Sequence, residues 1–174
     1  MGHDKSYEGV MHLGITTDTQ DTDGKVLLER DSSGVTTDAL AAAMHKFVGD
    51  QMQIPPMVSA IKMNGVPLYK LARKGQEVER EARLIHVYEF SPLSTEWPRV
   101  AFRLRCTKGT YVRTVCADVG EILGCGAFLE SLRRIRSGSF DVSDSTPLDV
   151  LLEWSPETLA EHLIPLHQIA HDGV

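Results

Sequence analysis

The chain has no long apolar run. None of its segments approaches the roughly 18 consecutive apolar residues that a membrane-spanning helix needs. The opening Met1 to Lys5 has no apolar stretch behind its charge, which a secretory signal would require. We therefore expect a cytoplasmic protein without a membrane partner.

Cysteine is scarce. The three cysteines, Cys106, Cys116 and Cys125, are an odd number, with no close pair and no neighbouring histidine to complete a zinc site. The pattern predicts buried free thiols and no metal site.

Basic residues are missing from the end of the chain. No lysine or arginine follows Arg136, whereas seven acidic residues do. The stretch from Lys62 to Arg136 holds 14 basic and 8 acidic residues, within a chain whose net charge is −6. A basic middle suits a ligand with a phosphate backbone. The solvated faces of an ordinary globular protein explain the same charges equally well.

The chain is long enough for one domain with a real core, and its patterns mix strands and helices. Apolar alternation predicts strands over 7–15, 26–29, 83–90, 100–106 and 140–142. Capping residues and helical spacing predict helices over 36–49, 110–123 and 127–135, and one from Ser155 onward. Without strict alternation of strand and helix, this order predicts an α+β fold with a mixed, largely antiparallel sheet and flanking helices.

Two loops invite functional interpretations. The acidic loop 16–24 fails as a calcium loop, because aligning Gly24 with the invariant glycine leaves Thr19 and Arg30 at ligand positions. A tight turn with self-bonding side chains is the favoured interpretation. The excursion 51–79 interleaves apolar, aromatic and basic residues, which fits RNA binding, a protein-binding hairpin or a mobile loop.

Segment 108–114 lies between a predicted strand and a predicted helix. Gly109 permits a tight turn, Thr110 can cap the helix, and Arg113 falls in the first turn, where its charge opposes the helix dipole. That placement suggests a specific negative partner, although a bridge to a nearby surface carboxylate is the commoner fate of an arginine.

Six ordered blocks of this sequence resemble the TruB family of tRNA pseudouridine synthases. The resemblance covers nearly the whole chain. Its blocks are Tyr7 within 4–7, the loop 16–24, segments 53–62, 68–83 and 108–114, and Leu132-Arg133-Arg134 with Gly138 and Phe140.

The resemblance implies isomerisation of uridine 55 in the tRNA T loop, without metal or cofactor. It assigns Tyr7 to stacking on the flipped base, Arg113 to pairing with a catalytic carboxylate, and Leu132 to the apolar wall of the base pocket. The excursion 51–79 corresponds to a thumb that closes on the T stem-loop. Candidate RNA contacts are Lys62, Tyr69, Lys70, Arg73, Lys74, Arg80 and Lys108.

One family motif does not occur in these 174 residues. The Gly-x-Leu-Asp-Pro-x-Ala-x-Gly segment that carries the nucleophilic aspartate is absent. Pro147-Leu148-Asp149 has Val150 where the motif has proline, and it lacks the glycines. We therefore expect residues 1–3 to be foreign, 4–144 to form a partial catalytic domain, and 145–174 to form an acidic helical extension without a PUA domain. We also expect that the chain on its own is inactive, and that it self-associates through an open sheet edge.

Two alternatives stay open. One is a noncatalytic RNA-binding or RNA-chaperone module that uses the same surface. The other is one half of a split synthase whose aspartate comes from a second chain.

Overall fold

The computed structural model describes residues 4–63, 65–72, 75–76 and 78–165. The predicted RNA contacts Arg73 and Lys74 lie outside the described residues. No described helix is both long and apolar enough to cross a membrane.

A six-stranded antiparallel sheet forms the centre of the fold, in the order β10-β9-β1-β8-β7-β4. This confirms the predicted α+β class and antiparallel sheet. The strands are β1 (Lys5–Leu13), β4 (Gly49–Gln53), β7 (Arg83–Glu96), β8 (Arg99–Cys106), β9 (Ala127–Ser137) and β10 (Phe140–Asp141). Two small two-stranded sheets lie outside it, β2 (Ile15–Thr17) with β3 (Val26–Glu29), and β5 (Lys62–Met63) with β6 (Val66–Pro67).

The core lies on one face of the large sheet. In β8, Val100, Phe102, Leu104 and Cys106 are all fully buried, as the alternation in the sequence predicts. The helices α1 (Thr37–His45) and α3 (Val112–Ile122) cover this face with Leu40, Met44, Val115 and Val119. We call it the core face.

The opposite face carries charged pairs. Arg103 of β8 forms an ion pair with Glu8 of β1 at 2.6 Å. Arg99, the first residue of β8, forms one with Glu130 of β9 at 2.9 Å. These side chains are substantially exposed, so each pair contributes little to stability.

The excursion from β4 has the expected hairpin-like form. β5 and β6 pair within it, and the short helix α2 (Leu68–Ala72) follows directly. Leu68 is buried, whereas the neighbouring Lys70 is exposed.

The last described elements are small. They are a 3₁₀ turn at Val142–Asp144, α4 (Leu148–Leu152) and α5 (Pro156–His162), which begins at the predicted Ser155 cap. None of these three elements has a buried residue. Leu148 and Leu152 of α4, like Leu27 of β3, are mostly exposed. Self-association through such apolar surface stays a prediction, as do the domain boundaries.

The predicted helix over 127–135 is wrong, because this segment is the strand β9. It pairs with β1 along nearly its whole length, with Gly9 opposite Leu132 and Tyr7 opposite Arg134. The spacing of Leu129 and Leu132 fits a helix, but it arises here from a register shift between Val10 and Met11 that breaks the two-residue alternation. Cross-strand pairing on both sides overrides the local pattern.

Gln53 joins the base of the excursion to the start of α3. Its side chain is buried and makes two bonds to the backbone of Tyr111. Nε2 donates to the carbonyl at 3.1 Å, and Oε1 accepts from the N–H at 2.8 Å. Tyr111 is the N-cap of α3 and has no side-chain capping bond of its own. Gln53 therefore sets where the helix begins.

We expect Gln53→Leu to lower the free energy of unfolding by about 2 kcal/mol, since it leaves the Tyr111 N–H without its partner and removes one donor to the Tyr111 carbonyl, which still accepts from the Val115 N–H. Urea denaturation followed by circular dichroism measures the change. Gln51→Ala is the matched control, because Gln51 makes one exposed bond, to the Lys46 carbonyl, and its loss should cost less than about 0.5 kcal/mol. Equal losses in the two variants would contradict this anchoring role.

Candidate functional site

The site is built around the first turn of α3. After β8 ends at Cys106, Gly109 adopts φ +82, and Thr110 Oγ1 donates to the Thr107 carbonyl at 2.9 Å. The predicted capping role of Thr110 is wrong: Thr110 closes the turn before the helix, and Tyr111 occupies the cap. The tight turn at Gly109 is confirmed.

Arg113 finds its negative partner inside the chain. Its Nη1 donates to Asp21 Oδ2 at 2.6 Å, and its Nη2 donates to the carbonyl of Val58 in the excursion. About four fifths of each side chain in the Arg113–Asp21 pair is buried. The structure thus gives Arg113 a carboxylate partner within these 174 residues, and the pairing of Arg113 with a catalytic carboxylate stays a prediction. A carboxylate here also faces the positive end of the helix dipole, which offsets the unfavourable place of Arg113.

The loop that carries Asp21 is the predicted tight turn. Thr17 Oγ1 donates to the Asp21 carbonyl at 2.8 Å, Thr19 Oγ1 donates to the Asp21 carboxylate, and Asp18 accepts from the Lys25 N–H at 2.8 Å. Burial alone would raise the pKa of Asp21. The hydrogen bonds from Thr19 and Arg113, with the charge of Arg113, outweigh burial and lower this pKa below its usual value.

Tyr7 and Leu132 lie on the core face, as neighbours on adjacent strands. Leu132 stands opposite Gly9, and its Cδ1 occupies the space over that glycine, 3.1 Å from where a Cβ would be. Leu132 is 42% exposed, so it lines a surface and is not buried in the core. Tyr7 packs against the core, and Arg134 stands opposite it on β9.

The pKa of Tyr7 is raised. Burial is the main cause, and the nearby Cys106 adds to it, whereas the charge and hydrogen bond of Arg134 act in the opposite direction. Tyr7 is therefore a neutral phenol at neutral pH.

Strand β9 connects the two halves of the site. Asp21 forms an isolated parallel bridge with Leu129, whose N–H donates to the Gln20 carbonyl at 2.9 Å. Leu129 precedes Leu132 by three residues, about 10 Å along a strand. Because α3 covers the core face and Asp21 bridges to β9, the Arg113–Asp21 pair lies on the same side of the sheet as Leu132 and Tyr7.

The described RNA-contact candidates differ in their surroundings. Lys62, Lys70 and Lys108 are exposed, and Tyr69 is half-buried on α2. Arg80 Nη1 donates to the Pro55 carbonyl at 3.1 Å and lines a cavity of about 470 Å³ at the base of the excursion. Arg80 thus makes a contact within the protein, in addition to any contact that it makes with RNA.

Sequence reasoning missed three residues of this arrangement. Asp21 belonged to a loop interpreted as a plain turn, Gln53 looked like one polar residue among several, and Arg134 was noted only as part of a motif. The unfavourable position of Arg113 was a usable signal, since it called for an anion that only the fold identifies.

Two family models together match most of the chain. One, described as TruB family pseudouridylate synthase (N terminal domain), matches residues 1–112. The other, described as tRNA pseudouridylate synthase B C-terminal domain, matches residues 113–170.

Curated relatives and solved structures agree with these matches. The tRNA pseudouridine synthase B of Opitutus terrae is 50% identical over 167 residues, which are 96% of this chain and 69% of that protein. The enzyme of the same name from Syntrophotalea carbinolica is 44% identical, over 95% of this chain and 54% of its own length. A chain from the crystal structure of a Cbf5-Nop10-Gar1 complex has a TM-score of 0.70 and 26% identity, over 97% of this chain and 44% of that one.

The antiparallel sheet and the site on its core face define the class as the pseudouridine synthase fold. Within that class, the chain belongs to the TruB family. It spans 69% of the Opitutus relative and about half of others, such as the 47% covered in the relative from Geotalea uraniireducens.

The lowered pKa of Asp21 predicts an acid-dependent contribution to stability. A carboxylate whose pKa falls on folding stabilises the fold above its unfolded pKa, near 4, and this contribution disappears as the pH falls through the folded pKa. We expect Asp21→Asn to be less stable than the parent by about 1–2 kcal/mol at pH 7. The gap should shrink below about pH 4.

Urea unfolding of both proteins from pH 7 down to pH 3 measures this gap. Asp23→Asn is the control, since Asp23 is an exposed carboxylate in the same loop. A gap that stays constant across the acid range would show that Asp21 does not act through its charge.

Proposed function

We propose that this chain contributes to isomerisation of uridine to pseudouridine at position 55 of the tRNA T loop. The observation that carries the proposal is the Arg113–Asp21 ion pair, in the first turn of α3 and on the same sheet face as Tyr7 and Leu132. Family membership makes a uridine the substrate of choice. As part of this proposal, the reaction takes place in the cytoplasm.

Arg113 can serve a second carboxylate while it holds Asp21. A guanidinium has five N–H donors, and the contacts with Asp21 and Val58 leave some of them for another anion. A nucleophilic aspartate placed there would be kept ionised and oriented. Asp21 then acts as the support that fixes the direction of the guanidinium.

Tyr7 and Leu132 provide the surfaces for a flipped base. An aromatic ring stacks on the base, and an exposed leucine opposite Gly9 supplies an apolar wall. A Cβ at position 9 would lie within 2.7 Å of both Phe102 and the Ser131 carbonyl, so this close packing of β1, β8 and β9 requires glycine.

The exposed lysines of the excursion are placed for the RNA backbone. The excursion is joined to α3 through Gln53 and through the Val58 carbonyl, so Lys62 and Lys70 are presented beside the site. Lys108 precedes α3 on the same turn. Together these cations form the basis for gripping the T stem-loop.

A polypeptide of these 174 residues should bind a T stem-loop in a salt-dependent way. We expect Lys62→Ala combined with Lys70→Ala to weaken binding about tenfold. The negative slope of the logarithm of the association constant against the logarithm of the salt concentration should become less steep by roughly 2. Fluorescence anisotropy with a labelled T stem-loop, at several salt concentrations, measures both quantities.

The control is Arg30→Ala combined with Arg99→Ala. This variant removes the same charge as the double lysine variant, but near the Leu13 end of β1, away from the turn that carries Lys108. This variant should bind within about twofold of the parent. Equal weakening in both double variants would mean that net charge, and not the excursion, determines affinity.

Isomerisation should need the family's Gly-x-Leu-Asp-Pro segment. We expect no pseudouridine from the 174 residues alone, and activity when a segment with this motif is fused in front. In the fusion, Arg113→Ala should reduce kcat/KM by at least about 100-fold, because the nucleophile loses its ion pair. Reverse-transcription stops at carbodiimide-modified pseudouridine report the product.

Arg103→Ala is the matched control in the same fusion. Arg103 also binds a carboxylate at 2.6 Å, but on the opposite face of the sheet, so its loss should leave activity within about twofold. An active fusion that tolerates Arg113→Ala would rule out the proposed role. Tight, salt-dependent binding without any isomerisation by the fusion would favour a noncatalytic RNA-binding module instead.

A further inference from the structure

Gln20 has a backbone conformation that is unusual for its residue type. Its φ is 65°, and it is the one non-glycine residue with positive φ in the part of the chain that the structure describes. For a residue with a Cβ, this left-handed conformation is strained, and it persists only where the surroundings impose it.

Three separate elements hold Gln20 in place. Its N–H donates to the Thr17 carbonyl at 3.1 Å within its own loop, and its carbonyl accepts from the Leu129 N–H of β9 at 2.9 Å. Its side-chain Oε1 accepts from Thr114 Oγ1 of α3 at 2.8 Å. Thr114 is 7% exposed, so this last bond lies in a nearly dry environment, where hydrogen bonds are strong.

The consequence concerns the neighbouring residue. In an extended chain, successive side chains point to opposite sides, so Gln20 and Asp21 could not both reach one helix turn. The left-handed backbone at Gln20 turns the chain so that both do. Gln20 binds Thr114, and Asp21 binds Arg113, the residue just before it.

We propose that Gln20 is a positioning residue, which sets the Asp21 carboxylate in register with the Arg113 guanidinium through its left-handed backbone and its bond to Thr114. The two adjacent contacts form a clasp, so that neither Asp21 nor Arg113 can rotate independently of α3. The relevance of this clasp to uridine chemistry rests on the proposed function. The clasp itself belongs to the RNA-free protein.

A different role predicts different behaviour. If Gln20 were only a turn residue, its replacement would change the stability of the loop and leave the Asp21–Arg113 contact as it is. Variants of Thr114 distinguish the two roles, because Thr114 can be replaced without changing Gln20, the residue with the strained backbone.

Thr114→Val removes the hydroxyl donor and keeps the shape of the side chain, whereas Thr114→Ser keeps the donor. In the 174-residue protein without RNA, we expect Thr114→Val to shift the Asp21 pKa upward toward the ordinary aspartate range, since Arg113 then holds the carboxylate less well. Thr114→Ser should leave it lowered. Carboxyl ¹³C chemical shifts over a pH titration measure this pKa, and amide spectra show whether each variant is folded.

Gln20→Ala should shift the Asp21 pKa in the same direction as Thr114→Val, and the two changes together should shift it no further than one alone. If Gln20→Ala does not fold, the pair of Thr114 variants decides. A folded Thr114→Val with an unchanged Asp21 pKa would overturn the proposal, as would equal shifts in the valine and serine variants. Since no RNA is present, a failed isomerisation assay has no bearing on this result, and a broken clasp says nothing about which RNA is bound.

Discussion

The first turn of α3 is the constraint on which the site depends. A helix start has unpaired backbone N–H groups and a positive dipole end, so an arginine there is unfavourable unless an anion is close. Asp21 supplies that anion, and Gln53 satisfies the backbone of the cap residue Tyr111. Both come from segments that are distant from α3 in sequence. The acidic loop and the base of the excursion therefore both stabilise the start of this helix.

The large sheet brings the acidic loop and the start of α3 close to each other. The fully buried alternation of β8 fixes the core face, and β8 leads directly through the Gly109 turn into α3. On that same face, β9 brings Leu132 and Arg134 beside β1 and receives Asp21 at Leu129. The position of Arg113 relative to Tyr7 is thus set by strand register, which a one-residue slip would destroy.

Sequence patterns predicted the elements whose cause is local. The alternation in β8, the cap at Ser155 and the turn at Gly109 each follow from a few neighbouring residues, and the structure confirms them. Two features that the sequence did not reveal have nonlocal causes. Strand β9 was predicted to be a helix because a register shift disguises its alternation. Arg113 and its partner Asp21 are 92 residues apart in the chain, so no local pattern connects them.

One guanidinium joins the acidic loop to the excursion. Arg113 binds Asp21 on one side and the Val58 carbonyl on the other, while Gln53, five residues before Val58, holds the cap of the same helix. The excursion is therefore fastened to α3 at two points within one turn. A rigid movement of its base cannot occur without breaking a charged hydrogen bond or carrying Arg113 with it. A movement of the excursion is in this way coupled mechanically to Arg113, and the proposed contacts with RNA would act on Arg113 by this route.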